Sequence, residues 1–233
     1  MLTSAHGAEI SVKPRIKLGE ARTPEGRLLE LYEHDGHHEV IFEKRALMAS
    51  RRHFSEQELA RIVCEELPPK AKVMIGGLGI GYTLRRVLDF LPEGGRAIQV
   101  ELMPELVEWN RGPMAFHADA PLEDPRTKLI MGDICEVIPR YDKVLAAILL
   151  DVDNGPTPLI RGQNQWLYGR KGLAAIHRAL IPGGAVSVWA ADDESHFLKS
   201  LEAAGFRAER HITNARPNRK GGRHYIFVGR KPG

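Results

Sequence analysis

"VMIGGLGIGY", residues 73–82, is the stretch on which the fold turns. Val73 to Ile75 are apolar and suit a buried strand, and Gly76, Gly77, Gly79 and Gly81 then fall within six positions. Glycine loses more backbone freedom on ordering than any other residue, so such a cluster needs a reason. A tight turn uses one or two glycines. A backbone that turns, approaches a ligand closely and then starts a helix uses several.

Outward from this loop, apolar periodicity alternates between the period of a strand and that of a helix. Strand-like runs cover 72–77, 96–101, 127–132, 143–150, 185–191, 206–212 and 223–229; helix-like runs cover 81–91, 103–111, 134–139, 166–180 and 194–204. Such alternation predicts a mainly parallel sheet with helices on both faces. Five βα steps closed by a hairpin are the order of the class I methyltransferase sheet. The expected fold is therefore α/β, a doubly wound, seven-stranded, Rossmann-like sheet. Upstream, "RLLELYEH" (27–34) and "HEVIFEK" (38–44) flank Asp35-Gly36, a strong hairpin signal. Residues 1–26 read as a loose polar arm, and 1–52 as that arm plus a small β module before a nucleoside-binding domain over 53–233. In "SEQELARIVCEEL" (55–67), Ser55 and Glu58 have the spacing of a capping box.

Composition sets the outer limits. The 233 residues are 43% hydrophobic and 27% charged with a net charge of +3, enough for one large core and only mildly basic. Nucleic acid is permitted as a partner without being required. Cys64 and Cys135 form no CxxC pair and read as free packing thiols in a reducing compartment. The longest apolar run, "VLAAILL" (144–150), has strand length rather than membrane-spanning length, and the first fifteen residues lack a signal-peptide core. A cytoplasmic protein is expected. The three histidines of "HDGHH" (34–38) sit on the hairpin turn and read as solvent-exposed, so no metal site is expected.

In doubly wound sheets ligands bind beyond the carboxyl ends of the strands. Gly77-x-Gly79-x-Gly81 lies at one such end. "RAIQVEL" puts Glu101 at the end of the next strand, where a carboxylate accepts hydrogen bonds from ribose hydroxyls, and "KLIMGD" puts Asp133 at the end of the third, within reach of an adenine amino group. The three in register point to an adenosyl pocket. GxGxG followed by Tyr82, with the other strand ends equipped, favours an S-adenosylmethionine-type nucleoside over a dinucleotide. No GxxxxGK[ST] is present, which excludes a P-loop.

With these pieces together, the sequence resembles the spermidine/spermine synthase family. The resemblance rests on "FSE" (54–56), "VMIGGLGIG" (73–81), "QVEL" (99–102), "GDICEVI" (132–138), "LLDVDNGP" (149–156), "WLYGRKGL" (166–173) and "LIPGG" (180–184). It implies S-adenosylmethionine or its decarboxylated form as donor, a small-molecule acceptor, and a homodimer through the N-terminal β module. It also implies Asp151 as the residue that orients or deprotonates the acceptor, with Phe54, Glu56, Asp153, Trp166 and Tyr168 around the acceptor site.

Three departures stand against the family pattern. Its glycine loop reads like GGGDGG, with an aspartate for the free ammonium of the decarboxylated donor; here that position is Gly79. Its YHE becomes Phe54-Ser55-Glu56, without the tyrosine hydroxyl. Its acidic DSxDPxGP-type loop is shortened to Asp151-Val152-Asp153-Asn154-Gly155-Pro156. A carboxylate contact there is worth about 4 kcal/mol at an effective dielectric near 20, and its loss admits the carboxylate of ordinary S-adenosylmethionine. The sequence therefore reads as methyl transfer to a small amine, hydroxyl or acid. Aminopropyl transfer making a polyamine is the alternative. A non-catalytic nucleoside- or nucleic-acid-binding protein using the basic run "RPNRKGGRHY" (216–225) is the second. Arg51, Arg52 and His53 of "SRRHF" read equally as pocket mouth or as solvated linker.

Overall fold

The computed structural model describes residues 14–152, 156, 165–217 and 221–233. It divides into two compact units, Met1–Ala49 and Ser50–Gly233.

The first unit is an antiparallel sheet in the order β1 (Ile16–Arg22), β2 (Leu28–His34), β3 (His37–Phe42) and β4 (Arg45–Ala49). Asp35 and Gly36 join β2 to β3 with φ of 52° and 74°, the two positive φ values of a type I′ turn. His34 pairs with His37 across it. Two sequence expectations are corrected. Within the supposed loose arm, Ile16–Arg22 is a strand paired to β2, with a register shift between Lys17 and Gly19. A further hairpin runs into β4 through Glu43 and Lys44, which take φ of 44° and 68° without glycine.

In the second unit seven strands lie in the order β10 (Arg207–Asn214), β11 (Arg223–Arg230), β9 (Leu180–Ala190), β8 (Leu145–Leu150), β5 (Lys72–Gly76), β6 (Arg96–Glu101) and β7 (Thr127–Met131). Strands β5 to β9 are parallel; β11 pairs antiparallel with both β9 and β10. This is the class I methyltransferase-like order, with the crossover reversing at β5. All six residues of β8 are buried, as a central strand covered on both faces requires. Alternate positions feed two cores. Met74, Ile148, Leu150 and Val188 enter one, with α6 (Arg170–Ala179) and α7 (His196–Ala203). Val73, Ile75, Leu149 and Val228 enter the other, with α1 (Phe54–Cys64) and α2 (Tyr82–Phe90).

Two helix readings are also corrected. The expected helix over 166–180 is α5 (Gln165–Tyr168) and α6, separated at Gly169, and Leu180 already belongs to β9. Ser55 caps nothing: α1 begins one residue earlier, its N-cap His53 makes no side-chain cap bond, and Ser55 is buried inside the first turn. The remaining α-helices among the described residues are α3 (Pro104–Arg111) and α4 (Ile134–Val137). Cys64 is buried on α1 and Cys135 lies on α4. Among the described residues no helix is long and apolar enough to cross a membrane, and no cluster of His, Cys, Asp and Glu is placed to hold a metal ion.

Candidate active site

Register lines up the strand ends that build the site. Gly76 pairs with both Val100 and Leu150, and Glu101 pairs with Met131. The ladder continues one residue further, from Gly77 N–H to Val100 O (3.0 Å), Gly132 N–H to Glu101 O (2.8 Å) and Asp151 N–H to Gly76 O (2.9 Å). Asp151 and Gly77 therefore emerge side by side at the carboxyl end of the sheet, with Gly132 at the same end beyond Glu101 of β6.

The glycine loop is pinned from beneath. Gly77 has φ of +86°, and a Cβ there would stand 2.2 Å from the Asp151 carbonyl oxygen, so no other residue fits. Gly81 has φ of +91° and is the N-cap of α2. Gly79 has φ of +53°. Gln99 Nε2 donates to Gly77 O at 2.9 Å and Asn110 Nδ2 to Gly79 O at 2.8 Å, so two carboxamides anchor the loop's carbonyls. The Glu101 carboxylate accepts from three backbone N–H groups, Leu78 on Oε2 and Leu102 and Met103 on Oε1, each at 2.8 Å. Burial holds Glu101 above its ordinary value, and those three donors offset part of that rise. Three of a carboxylate's roughly four acceptor directions are thereby used, leaving room for about one strong bond to a ligand hydroxyl. Asp133 precedes α4 as its N-cap, with Oδ1 accepting from Cys135 N–H at 2.8 Å.

On the other side of β5 lies an acidic pair. Asp151 Oδ2 accepts from the Thr83 hydroxyl at 2.6 Å, and Glu56 Oε2 accepts from the Ser55 hydroxyl, also at 2.6 Å. Poor hydration and the Asp151 charge push Glu56 up to about 8, against the Ser55 hydrogen bond, a bond from its own backbone N–H and the Arg52 charge. Burial raises Asp151 to about 6, against the Thr83 hydrogen bond. Burial and then the Glu56 charge hold Tyr82 up at about 12; its hydroxyl donates to Ser50 O at 3.0 Å and its ring stacks on His53 with centroids 4.2 Å apart. Two carboxyls that titrate near neutrality in one place can exchange a proton with an amine.

The other residues singled out in the sequence fall around this pair or apart from it. Phe54 is half-buried at the start of α1, with its N–H donating to Ala215 O at 3.3 Å. Trp166 is half-buried against the core. Tyr168 is buried, its ring edge-on to Phe197 and its hydroxyl 3.5 Å from Val152 O. Asp153 lies outside the described residues, as do 218–220 of the basic run. Thr83, Gln99, Asn110 and His224 were not marked in the sequence. Thr83 is two positions beyond Gly81, a spacing that places it in the first turn of α2; the others carried no signal.

Among solved structures, the chain is similar to a spermidine synthase in complex with the transition-state analogue AdoDATO. The TM-score is 0.76 at 20% identity, over 92% of this chain and 73% of that one, and that likeness concerns the fold. It is 34% identical over 137 residues to polyamine aminopropyltransferase 2 of Pseudomonas aeruginosa, covering 55% of this chain and 37% of that protein. It is 29% identical over 172 residues to putrescine N-methyltransferase 4 of Nicotiana tabacum, covering 70% and 38%. The matches thus span well under half the length of these relatives. Residues 52–204, more than half the chain, match the spermine/spermidine synthase domain, and the chain belongs to that family.

Proposed function

We propose that this chain transfers an aminopropyl group from decarboxylated S-adenosylmethionine to a small aliphatic amine. The observation that carries the reading is the Glu56–Asp151 pair beside the glycine loop. An aliphatic ammonium titrates near 10.4 and must lose a proton before it can attack. Passing that proton to a carboxylate raised to about 8 costs about 3 kcal/mol, against about 8 for an ordinary carboxylate. Asp151 holds the acceptor amine in line and Glu56 takes its proton. Gly77, Gly79, Gly81, Glu101 and Asp133 form the nucleoside side of the site. The glycine conformations and the remaining acceptor direction on Glu101 suit an adenosyl ligand. A bound donor supplies an electrophilic sulfonium carbon. Orientation and proton removal are the work of the protein.

Methyl transfer from ordinary S-adenosylmethionine is the second reading. Gly79 favours it, since no carboxylate stands where the family's loop holds the donor's free ammonium, and so does kinship with a putrescine N-methyltransferase. Aminopropyl transfer is preferred because the relative with the higher identity is an aminopropyltransferase. A homodimer belongs to the same proposal, and light scattering tests it.

Incubation with putrescine and each donor in turn, with mass spectrometry of the product, decides between the two. Aminopropylated putrescine from the decarboxylated donor is expected. Methylated putrescine formed solely from S-adenosylmethionine would transfer the conclusion to the second reading. No calorimetric binding of either nucleoside would remove both.

A further inference from the structure

Ser55 is the second residue of α1 and His224 the second residue of β11. They meet because β11 lies between β9 and β10, and α1 packs across these strands. Ser55 is fully buried, and its Oγ lies 2.6 Å from Glu56 Oε2 and 2.9 Å from His224 Nδ1. The Trp189 ring stands against the imidazole at 66°, with centroids 4.7 Å apart. His224 itself is half-buried.

A hydroxyl has one proton to give, so Ser55 donates to one neighbour at a time. With Glu56 ionised, the carboxylate takes that proton and His224 must donate from Nδ1. With a proton on Glu56 Oε2, the hydroxyl turns round, donates to a bare Nδ1, and leaves the imidazole proton on Nε2.

We propose that Glu56, Ser55 and His224 form a proton wire in which the charge on Glu56 sets the tautomer of His224. Through it, a proton taken by Glu56 passes to the imidazole and leaves from the opposite nitrogen. The wire rests on the base role given to Glu56 above. The bookkeeping of bonds closes. The Glu56 O–H breaks as a new Ser55 O–H forms, and the old Ser55 O–H breaks as Nδ1–H forms. The imidazolium then gives its Nε2 proton to water, which restores a carboxylate and a neutral ring. Glu56 faces Asp151, Arg52 and Tyr82 besides Ser55, and His224 faces Arg52 and Trp189. Burial and then Arg52 push His224 below its ordinary value, so the ring is neutral between transfers. His224 does not touch the acceptor; it is a positioning residue acting through Ser55.

The test needs no turnover. Two-bond proton–nitrogen correlation spectra of the 15N-labelled full chain, without donor or acceptor, report the tautomer of His224, with His224→Gln assigning the signal. Between about pH 6.5 and about pH 9.5 the ring should pass from the Nε2–H to the Nδ1–H form, with its midpoint near the about 8 of Glu56. In Glu56→Gln and Ser55→Ala that change should disappear. If Ser55→Ala does not fold, Glu56→Gln carries the test. One tautomer throughout in the wild type, or an unchanged midpoint in Glu56→Gln, overturns the wire. A chain that aminopropylates putrescine with a pH-invariant tautomer loses the wire alone. A chain that switches tautomer but transfers nothing to putrescine keeps it and loses the functional reading.

Discussion

Glu101 and the Glu56–Asp151 pair sit on either side of β5, the first a buried carboxyl and the others half-buried. They behave differently because of what donates to them. Glu101 receives three backbone N–H groups, fixed dipoles that cannot turn away, and the result is a strut joining the glycine loop to the start of α3. Glu56 and Asp151 each receive one hydroxyl, a rotor, and each lies in the other's field. Backbone donors make a buried carboxylate structural. Burial raises all three; hydroxyl donors, which can turn, leave the pair free to exchange a proton.

The sharpest way to break this contrast is pH. Glu56 binds its proton more tightly folded than unfolded, so its contribution to stability is fully present below the ordinary carboxylate range. It is lost as pH rises towards about 8. Across that window the wild type should lose about 4 kcal/mol through this group, and Glu56→Gln should flatten the curve. Denaturant midpoints at the two ends decide it, and parallel curves would sink the distinction. Next in size, Glu101→Ala strands three backbone donors and should cost about 3 kcal/mol at neutral pH. Unchanged denaturant midpoints would mean that the three donors find other partners and that Glu101 is no strut.

A smaller effect sharpens the donor side. Gly79→Asp should favour the decarboxylated donor over S-adenosylmethionine by about 2 kcal/mol more than the wild type does. At φ of +53° both Asp and Asn are tolerated, so Gly79→Asn controls for shape without charge. Calorimetric titration of both nucleosides reads it, and equal shifts in the two variants would rule out a charge effect. Smallest, Thr83→Val removes the one hydroxyl that holds Asp151 down and should raise its titration by an amount worth about 1 kcal/mol, visible in the carboxyl resonance of labelled protein. No movement would mean that Thr83 is packing only.

The seven-stranded sheet and its glycine turn were legible in the sequence because its parallel strands are apolar runs closed by a polar or glycine punctuation, buried in the centre and half-exposed at the edge strand β7. Strand β1 was not, since five of its seven residues are exposed or nearly so and Pro14 and Pro24 bracket it. The Glu43-Lys44 turn was not, because neither residue advertises positive φ. Ser55 misled through local spacing alone: Glu58 sits where a capping box needs it, but pairs with Arg61. The places of Gly77, Glu101 and Asp133 at the carboxyl end of the sheet were readable from their strand ends. The meeting of Ser55 with His224 was not, since it depends on the antiparallel insertion of β11 and brings together residues 169 apart.

Gly77 has a consequence for anyone redesigning this protein. With 2.2 Å between a would-be Cβ and the Asp151 carbonyl, the loop and the acidic strand end are one machined joint. A library aimed at a new donor can vary position 79 among residues that accept a φ of +53°, Asn and Asp first. The same library at position 77 would also move Asp151, so every gain selected there would be confounded with a displaced carboxyl.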